Sequence, residues 1–192
     1  MIFFTADHHF GHENILKYAK RPWKNIEDMN ENLMTRWNDT VQEGDTVFYV
    51  GDFTLKDRGY AESIIKRLNG VIFFMPGSHD SWWSDKIYSL KTKTDSAFSA
   101  PALYEFKGLI KNDAGFGLPI VLCHYAMRSW AVSHYGSWHL FGHHHGNLEP
   151  YGLSFDIGVD CWDYYPVSLD QVKNKMATLK PIVDYSKGVN DK

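Results

Sequence analysis

Met1-Ile2-Phe3-Phe4-Thr5-Ala6-Asp7-His8-His9 is the stretch from which the rest of the chain can be read. The apolar run from Ile2 to Ala6 is too short for a helix and is rich in residues that fill a pleated sheet, and it stops abruptly at Asp7 and His9. A run that barely alternates suits a strand buried on both faces. The pattern recurs. Thr46 to Val50 runs into Gly51-Asp52, Val71 to Met75 into Gly77-Ser78-His79-Asp80, and Ile120 to Cys123 into His124.

The segments between these runs read as helices. Ile26, Met29, Leu33 and Trp37 recur at three- and four-residue spacing behind Asn25, a suitable cap. Tyr60, Ile64, Ile65 and Leu68 form a second stripe that Asn69-Gly70 terminates. The first three strands are therefore expected to be parallel neighbours joined by helical crossovers. The second half has another texture. Leu103 to Ile110, Trp138 to Gly142 and Leu153 to Val159 are separated by Gly, Pro and Asn, which predicts strands paired mainly through hairpins. A last helix capped by Ser168 is expected to run to about Leu179, ahead of Pro181. The sum is an α/β chain with two sheets, each covered by helices on its outer side.

Composition bounds the function. At 192 residues, 44% hydrophobic and 16% aromatic, the chain reads most economically as one domain, residues 1–192. A net charge of −3 supplies no basic field for gripping a long polyanion, so no stable nucleic-acid partner is indicated. The start Met-Ile-Phe-Phe-Thr-Ala lacks the features of a signal peptide, and no apolar run approaches a membrane span. Two cysteines, Cys123 and Cys161, do not make a disulfide framework. The expectation is a cytoplasmic chain with no membrane partner.

The polar groups behind the strands carry the functional reading. In an open α/β sheet the carboxyl ends of parallel strands line one edge, where ligands collect. Asp7 and His9, Asp52, Ser78 to Asp80, and His124 can therefore converge, joined by Gly142-His143-His144-His145. Histidine and carboxylate delivered from several strand ends are what a pair of divalent cations needs, and paired cations are a standard device for attacking phosphate esters.

Asp7-x-His9, Gly51-Asp52, Gly77-Ser78-His79-Asp80, the lone His124 and Gly142-His143-x-His145 together resemble the calcineurin-like metallophosphoesterases, in their small bacterial and phage form. The resemblance implies a four-layer α/β/β/α sandwich of two mixed sheets with a dinuclear metal site at one edge. By position it implies that Asp7, His9 and His145 hold the first metal and that Asp52 bridges both. His124, His143 and position 78 would hold the second. His144, between two ligands on an extended segment, should point away. Nitrogen and oxygen donors suit two divalent transition-metal ions, with manganese the first choice among manganese, iron, zinc, nickel and cobalt.

The resemblance also implies that His79 protonates the leaving-group oxygen, with Asp80 orienting it and Asp57 as competitor. One position departs from the pattern: Ser78 stands where the family has Asn, which should weaken the second site. An engineered lesion, a tolerated water ligand and a drift toward a binding or scaffold module are the three readings, and Ser78 can also cap a helix starting at Asp80-Ser81-Trp82. His12 and Arg128 are candidate substrate contacts, whereas Arg58 reads as a surface arginine. Trp82-Trp83 and Trp130 are the tryptophans placed to stack on a base. The leading expectation is a metal-dependent phosphodiesterase acting on a small phosphoester, a nucleotide or a nucleic-acid end.

Overall fold

The computed structural model describes residues 1–83, 90–111 and 115–182. Strand β1 (Ile2–Thr5) leads through α1 (Ile15–Tyr18) and α2 (Ile26–Thr40) to β2 (Thr46–Val50), and α3 (Arg58–Ile65) leads to β3 (Val71–Met75). These strands are parallel neighbours, with Phe4 opposite Phe48 and Phe48 opposite Phe73, as the crossover pattern predicts. Asn25 caps α2 by accepting from the Asp28 amide at 2.8 Å, and Asp57 caps α3 through the Tyr60 amide at 2.9 Å. Asp57 is thereby committed to the helix start rather than to His79.

Three short strands complete this first sheet without having left a periodic signal: β4 (Leu90–Lys91), β5 (Ser96–Ser99) and β10 (Val167–Ser168). The order is β10-β1-β2-β3-β5-β4, with β5 parallel to β3 and the two edge strands antiparallel. The second sheet is β6 (Leu103–Lys111), β7 (Gly117–Cys123), β8 (Trp138–Phe141) and β9 (Ser154–Asp156), in that order. Only β6 and β7 form the expected hairpin pairing; β7, β8 and β9 run parallel. The expectation of hairpins throughout is corrected for a simple reason. Residues 124–137 and 142–153 are long enough to carry the chain back to the starting edge, which takes about a dozen residues.

The pleat sorts the core into two layers. Phe3, Val47, Tyr49, Ile72 and Phe74 face Met29, Leu33, Trp37, Ile64 and Ile65 of the helices. Phe4, Phe48, Val50 and Met75 point the other way and meet Ile120, Leu122, Leu140 and Phe155 of the second sheet. Helix α4 (Leu169–Met176) begins with a capping box between Ser168 and Gln171 and ends at Met176, short of the expected Leu179. Its Val172 and Met176 belong to this inter-sheet core. A helical cover on the outer face of the second sheet is not found among the described residues; Trp130, from residues 124–137, instead lies on His139 with ring centroids 5.4 Å apart. The molecule is thus a mixed α/β structure with two mixed sheets. Among the described residues no helix is long and apolar enough to cross a membrane.

The carboxyl ends of β1, β2 and β3 share one edge, and loop pairing extends past them. The Asp7 amide donates to Gly51 O at 3.0 Å and the His9 amide to Asp52 O at 3.1 Å. Ala6 bridges Gly158, and the Gly142 amide donates to His124 O at 3.0 Å. Both sheets therefore deliver their loops to one place.

Candidate metal centre

Five of the residues expected to ligate, Asp7, His9, Asp52, His143 and His145, have φ between 49° and 73°. Left-handed backbone costs an L-residue roughly 1–2 kcal/mol. Its concentration here means the loops are shaped to aim side chains rather than to relax. Glycines make that shape sterically possible. Gly51 has φ 89°, and a Cβ there would lie 2.6 Å from His124 Nδ1; at Gly77 a Cβ would lie 2.3 Å from Asp52 Oδ1. Only hydrogen fits between these ligand loops.

Two groups emerge. Ligand atoms of Asp7, His9 and His145 lie within 4.8 Å of one another, as do those of Asp52, His124 and His143, and a third set, His9, Asp52 and His79, lies between them. Asp52 Oδ2 is the meeting point. It stands 3.3 Å from His124 Nε2, 3.6 Å from His9 Nε2 and 3.9 Å from His79 Nε2. Three atoms facing this space, Asp7 Oδ1, His9 Nε2 and His124 Nε2, are buried with no hydrogen-bond partner. Buried orphans of this kind call for an explanation: a cation in the first group would satisfy Asp7 Oδ1 and His9 Nε2, and one in the second group His124 Nε2. The donor set therefore fits metal ions.

The electrostatics follow from burial. Asp7, fully enclosed, is pushed up to about 8 chiefly by loss of solvent, against the pull of His124 and His145. Burial pushes His9 down to about 2, so its imidazole is neutral and free to ligate. Burial would also raise Asp52, but His124 and the His79 amide, which donates to Oδ1 at 2.9 Å, hold its carboxyl below the ordinary range. His143 is lowered by burial, while His124 and His145 resist burial through their carboxylate partners and titrate higher than usual. His124 Nδ1 is fixed by Val50 O at 2.9 Å, which turns Nε2 toward the site.

The segment after β3 departs from expectation. Ser78 Oγ donates to Asp52 Oδ2 at 3.0 Å, so its hydroxyl is turned to the shared carboxylate. Asp80 is not bonded to His79. Its Oδ2 accepts from the amides of Asp52 at 2.6 Å and Gly77 at 2.9 Å. Its Oδ1 accepts from the amides of Phe53 and Thr54 and from Trp82 Nε1. The assignment of Asp80 as the orienter of His79 is therefore corrected: the carboxylate ties the β2 and β3 loops together, and a sequence cannot tell which way it turns.

Other candidates sort clearly. His12 is at the site, its Nδ1 3.3 Å from His9 Nδ1 and its ring 6.2 Å from that of His79. His144 packs edge-on to Phe141 at 6.0 Å and belongs to neither ligand group, but left-handed backbone at His143 and His145, not the alternation of an extended segment, surrounds it. Arg128 lies over the Tyr151 ring at 5.7 Å, in a cavity of about 410 Å³ whose lining includes Met127 and Leu148 but none of the ligand residues. Arg58 pairs with Glu62 at 2.8 Å. Trp82 and Trp130 are buried, and Trp83 packs on the helical core, so the tryptophans are not a stacking rim. Exposed aromatics at the site include Tyr125, 5.1 Å from His124 and 5.0 Å from His143 between ring centroids, and Tyr18, 6.3 Å from His12.

No family model matches the chain. It is 31% identical over 180 residues to the uncharacterized protein MJ1445 of Methanocaldococcus jannaschii, across 89% of this chain and 88% of that protein. The chain belongs to the family of that archaeal protein. Its fold is similar to that of the protein of unknown function AQ665 from Aquifex aeolicus, with a TM-score of 0.59, 21% identity, and coverage of 91% of this chain and 98% of that one.

Two residues of this centre escaped the sequence reading. Arg21, its side chain fully buried, meets Asp160 at 2.8 Å, and Asp160 Oδ2 meets His145 Nδ1 at 2.7 Å. Asp160 follows the predicted strand Leu153 to Val159 directly, as Asp52 follows its strand, but Ser154 and Asp156 interrupt the apolar run and blur the signal. Lys20-Arg21-Pro22 looks like any exposed turn and carried none.

Proposed function

We propose that the chain is a metal-dependent phosphoesterase that uses two divalent cations to hydrolyse a small phosphodiester. The fold would be a form of the calcineurin-like metallophosphoesterase sandwich in which the described residues put no helix on the outer face of the second sheet. The observation that carries the reading is the position of Asp52 Oδ2 between the two ligand groups, where one carboxylate can serve both. Asp7, His9 and His145 would hold one cation and Asp52, His124 and His143 the other. Manganese is the first choice, and iron, zinc, nickel and cobalt satisfy the same donors. Bound there, paired cations supply an acidified water for in-line attack and draw charge from the phosphoryl oxygens.

The chain's own residues do the rest. His79, its side chain 41% exposed, stands at the mouth of the centre with its amide fixed on Asp52, and is placed to give a proton to the departing oxygen. His12 lines the same mouth and can contact a phosphoryl oxygen. Tyr125 offers an exposed aromatic face beside His124 and His143, which favours an ester carrying a flat group such as a nucleobase over a phosphoprotein.

Ser78 favours a second reading, a binding or scaffold module in which the second cation is weakly held, because its hydroxyl is engaged by Asp52. One experiment separates the two. Hydrolysis of bis-p-nitrophenyl phosphate and p-nitrophenyl phosphate is measured with manganese, alongside metal content, for this chain and for Ser78→Asn. A diesterase is expected to turn over the diester. Ser78→Asn, by adding an amide oxygen within reach of the second site, is expected to raise both rate and manganese content. If both variants hold two metals and neither hydrolyses either ester, the enzyme reading fails.

A further inference from the structure

We propose that Arg21 and Asp160 are positioning residues for the Asp7–His9–His145 site: Asp160 fixes the ring and tautomer of His145, and Arg21 fixes Asp160 together with the backbone that presents Asp7 and His9. The inference rests on the metal-centre reading above and extends it to two residues remote in sequence from every ligand motif. Its basis is a continuous chain of contacts. His145 Nδ1 lies 2.7 Å from Asp160 Oδ2. A carboxylate only accepts, so the imidazole proton resides on Nδ1 and the Nε2 lone pair is left to face the site. Asp160 in turn receives a two-pronged bond, Arg21 Nε to Oδ1 and Nη2 to Oδ2, both 2.8 Å.

The same guanidinium reaches further. Nη2 donates to Asp7 O at 2.6 Å and Nη1 to His8 O at 2.7 Å. Those carbonyls flank the left-handed turns at Asp7 and His9, so one buried cation braces the backbone of two ligands and the side-chain partner of the third. Arg21 is not on a strand end and touches no open space; its side chain is fully buried and that of Asp160 is 6% exposed. A buried pair of this kind is costly to form and is a weak device for stability alone. Its four bonds to the ligand loops and to Asp160 are what make a positioning role the economical explanation.

The test uses the full chain. Tautomers of histidine are read by nitrogen NMR on the metal-free protein, and manganese(II) binding is followed calorimetrically for the wild type, Asp160→Asn, Arg21→Lys, His145→Ala and His143→Ala. The wild-type His145 is expected to carry its proton on Nδ1. An amide at position 160 cannot accept from both His145 and the Arg21 fork, so Asp160→Asn is expected to weaken manganese roughly 10–100-fold at the site that His145→Ala removes. The site that His143→Ala removes should be unchanged. Arg21→Lys keeps the charge without the fork and should weaken the same site by a smaller factor.

Failure of the metal reading is distinct. The wild type would take up no manganese, or the two histidine variants would bind like wild type, and this inference would go with it. If the wild type binds two ions and His145→Ala loses one, yet Asp160→Asn binds both at wild-type affinity, the positioning role is overturned by itself. A wild-type His145 whose neutral ring carries its proton on Nε2 and not on Nδ1 overturns it too, and needs no variant to fold. Wild-type affinity in Arg21→Lys would overturn the part assigned to Arg21.

Discussion

Among the imidazoles gathered here, His79 stands out because it is exposed while His9 and His124 are buried, although its amide is anchored on Asp52. A group so placed can approach a leaving oxygen without surrendering a ligand bond. His79→Asn is therefore expected to lower kcat on an alkyl diester by about 10²–10⁴, the usual worth of a positioned acid. The loss should be much smaller on bis-p-nitrophenyl phosphate, whose phenolate departs without a proton, and manganese content should not change. Equal losses on both esters, or a lost metal, would remove His79 from the acid role. At this scale the sequence was readable wherever chemistry depends on residue type behind a strand, as with Asp7, His9, Asp52, His124, His143 and His145. It was not readable where the direction of a side chain decides. Ser78 and Asp80 flank His79, yet one turns to Asp52 and the other to the backbone of the neighbouring loop.

Among the elements, the loop after β3 and strand β8 make separate demands. Asp80 holds the β2 and β3 loops together through four amides and the Trp82 indole. Burial raises the Asp80 carboxyl and these donors oppose it. Asp80→Asn trades an acceptor for a donor amid donors, and is expected to cost about 2–4 kcal/mol of unfolding free energy in urea titration. Manganese content should fall with it, since Asp52 sits on the same loop; a stable variant with full metal content would contradict the tie. On β8, His139 is held between Val121 O at 3.0 Å from Nδ1 and the Met127 amide at 3.1 Å from Nε2, and burial lowers its pKa. The folded state therefore keeps it neutral after the unfolded chain has begun to take a proton, near pH 6.5. Stability is complete above that pH and is lost as pH falls, by up to about 1.4 kcal/mol per pH unit for one proton. His139→Gln should be less stable at pH 8 but should show a shallower fall between pH 6.5 and 5 than the wild type; parallel profiles would refute the assignment. The parallel run of β7, β8 and β9 was hidden for a related reason. Gly, Pro and Asn mark where the chain turns, but only the packing of Leu122, Leu140 and Phe155 on the first sheet decides where it returns.

For the molecule as a whole, the two sheets converge on a place that is unfavourable when considered without cations. Five of the nine non-glycine residues with positive φ among those described are ligand candidates, and three buried polar atoms there have no partner. The favourable packing that offsets this lies elsewhere, in the helix-facing layer around Trp37 and Tyr49 and the inter-sheet layer around Phe4 and Phe48. Such an arrangement ties global stability to occupancy, because the unfolded chain cannot assemble loops that are contiguous only through the β1, β2 and β3 register and the Ala6–Gly158 bridge. A ligand that binds only the folded state stabilises it by about 2.7 kcal/mol at a hundredfold excess over its Kd. For a domain of this size that corresponds to roughly 5–10 °C in Tm. Chelation should therefore lower the Tm by about that much, and manganese added back should restore it. In His145→Ala and His143→Ala the rise on adding manganese should shrink, since each variant retains one group intact. A Tm indifferent to chelator and to added manganese would mean that the cluster is stable as a polar core, and that its strained loops are maintained by packing alone.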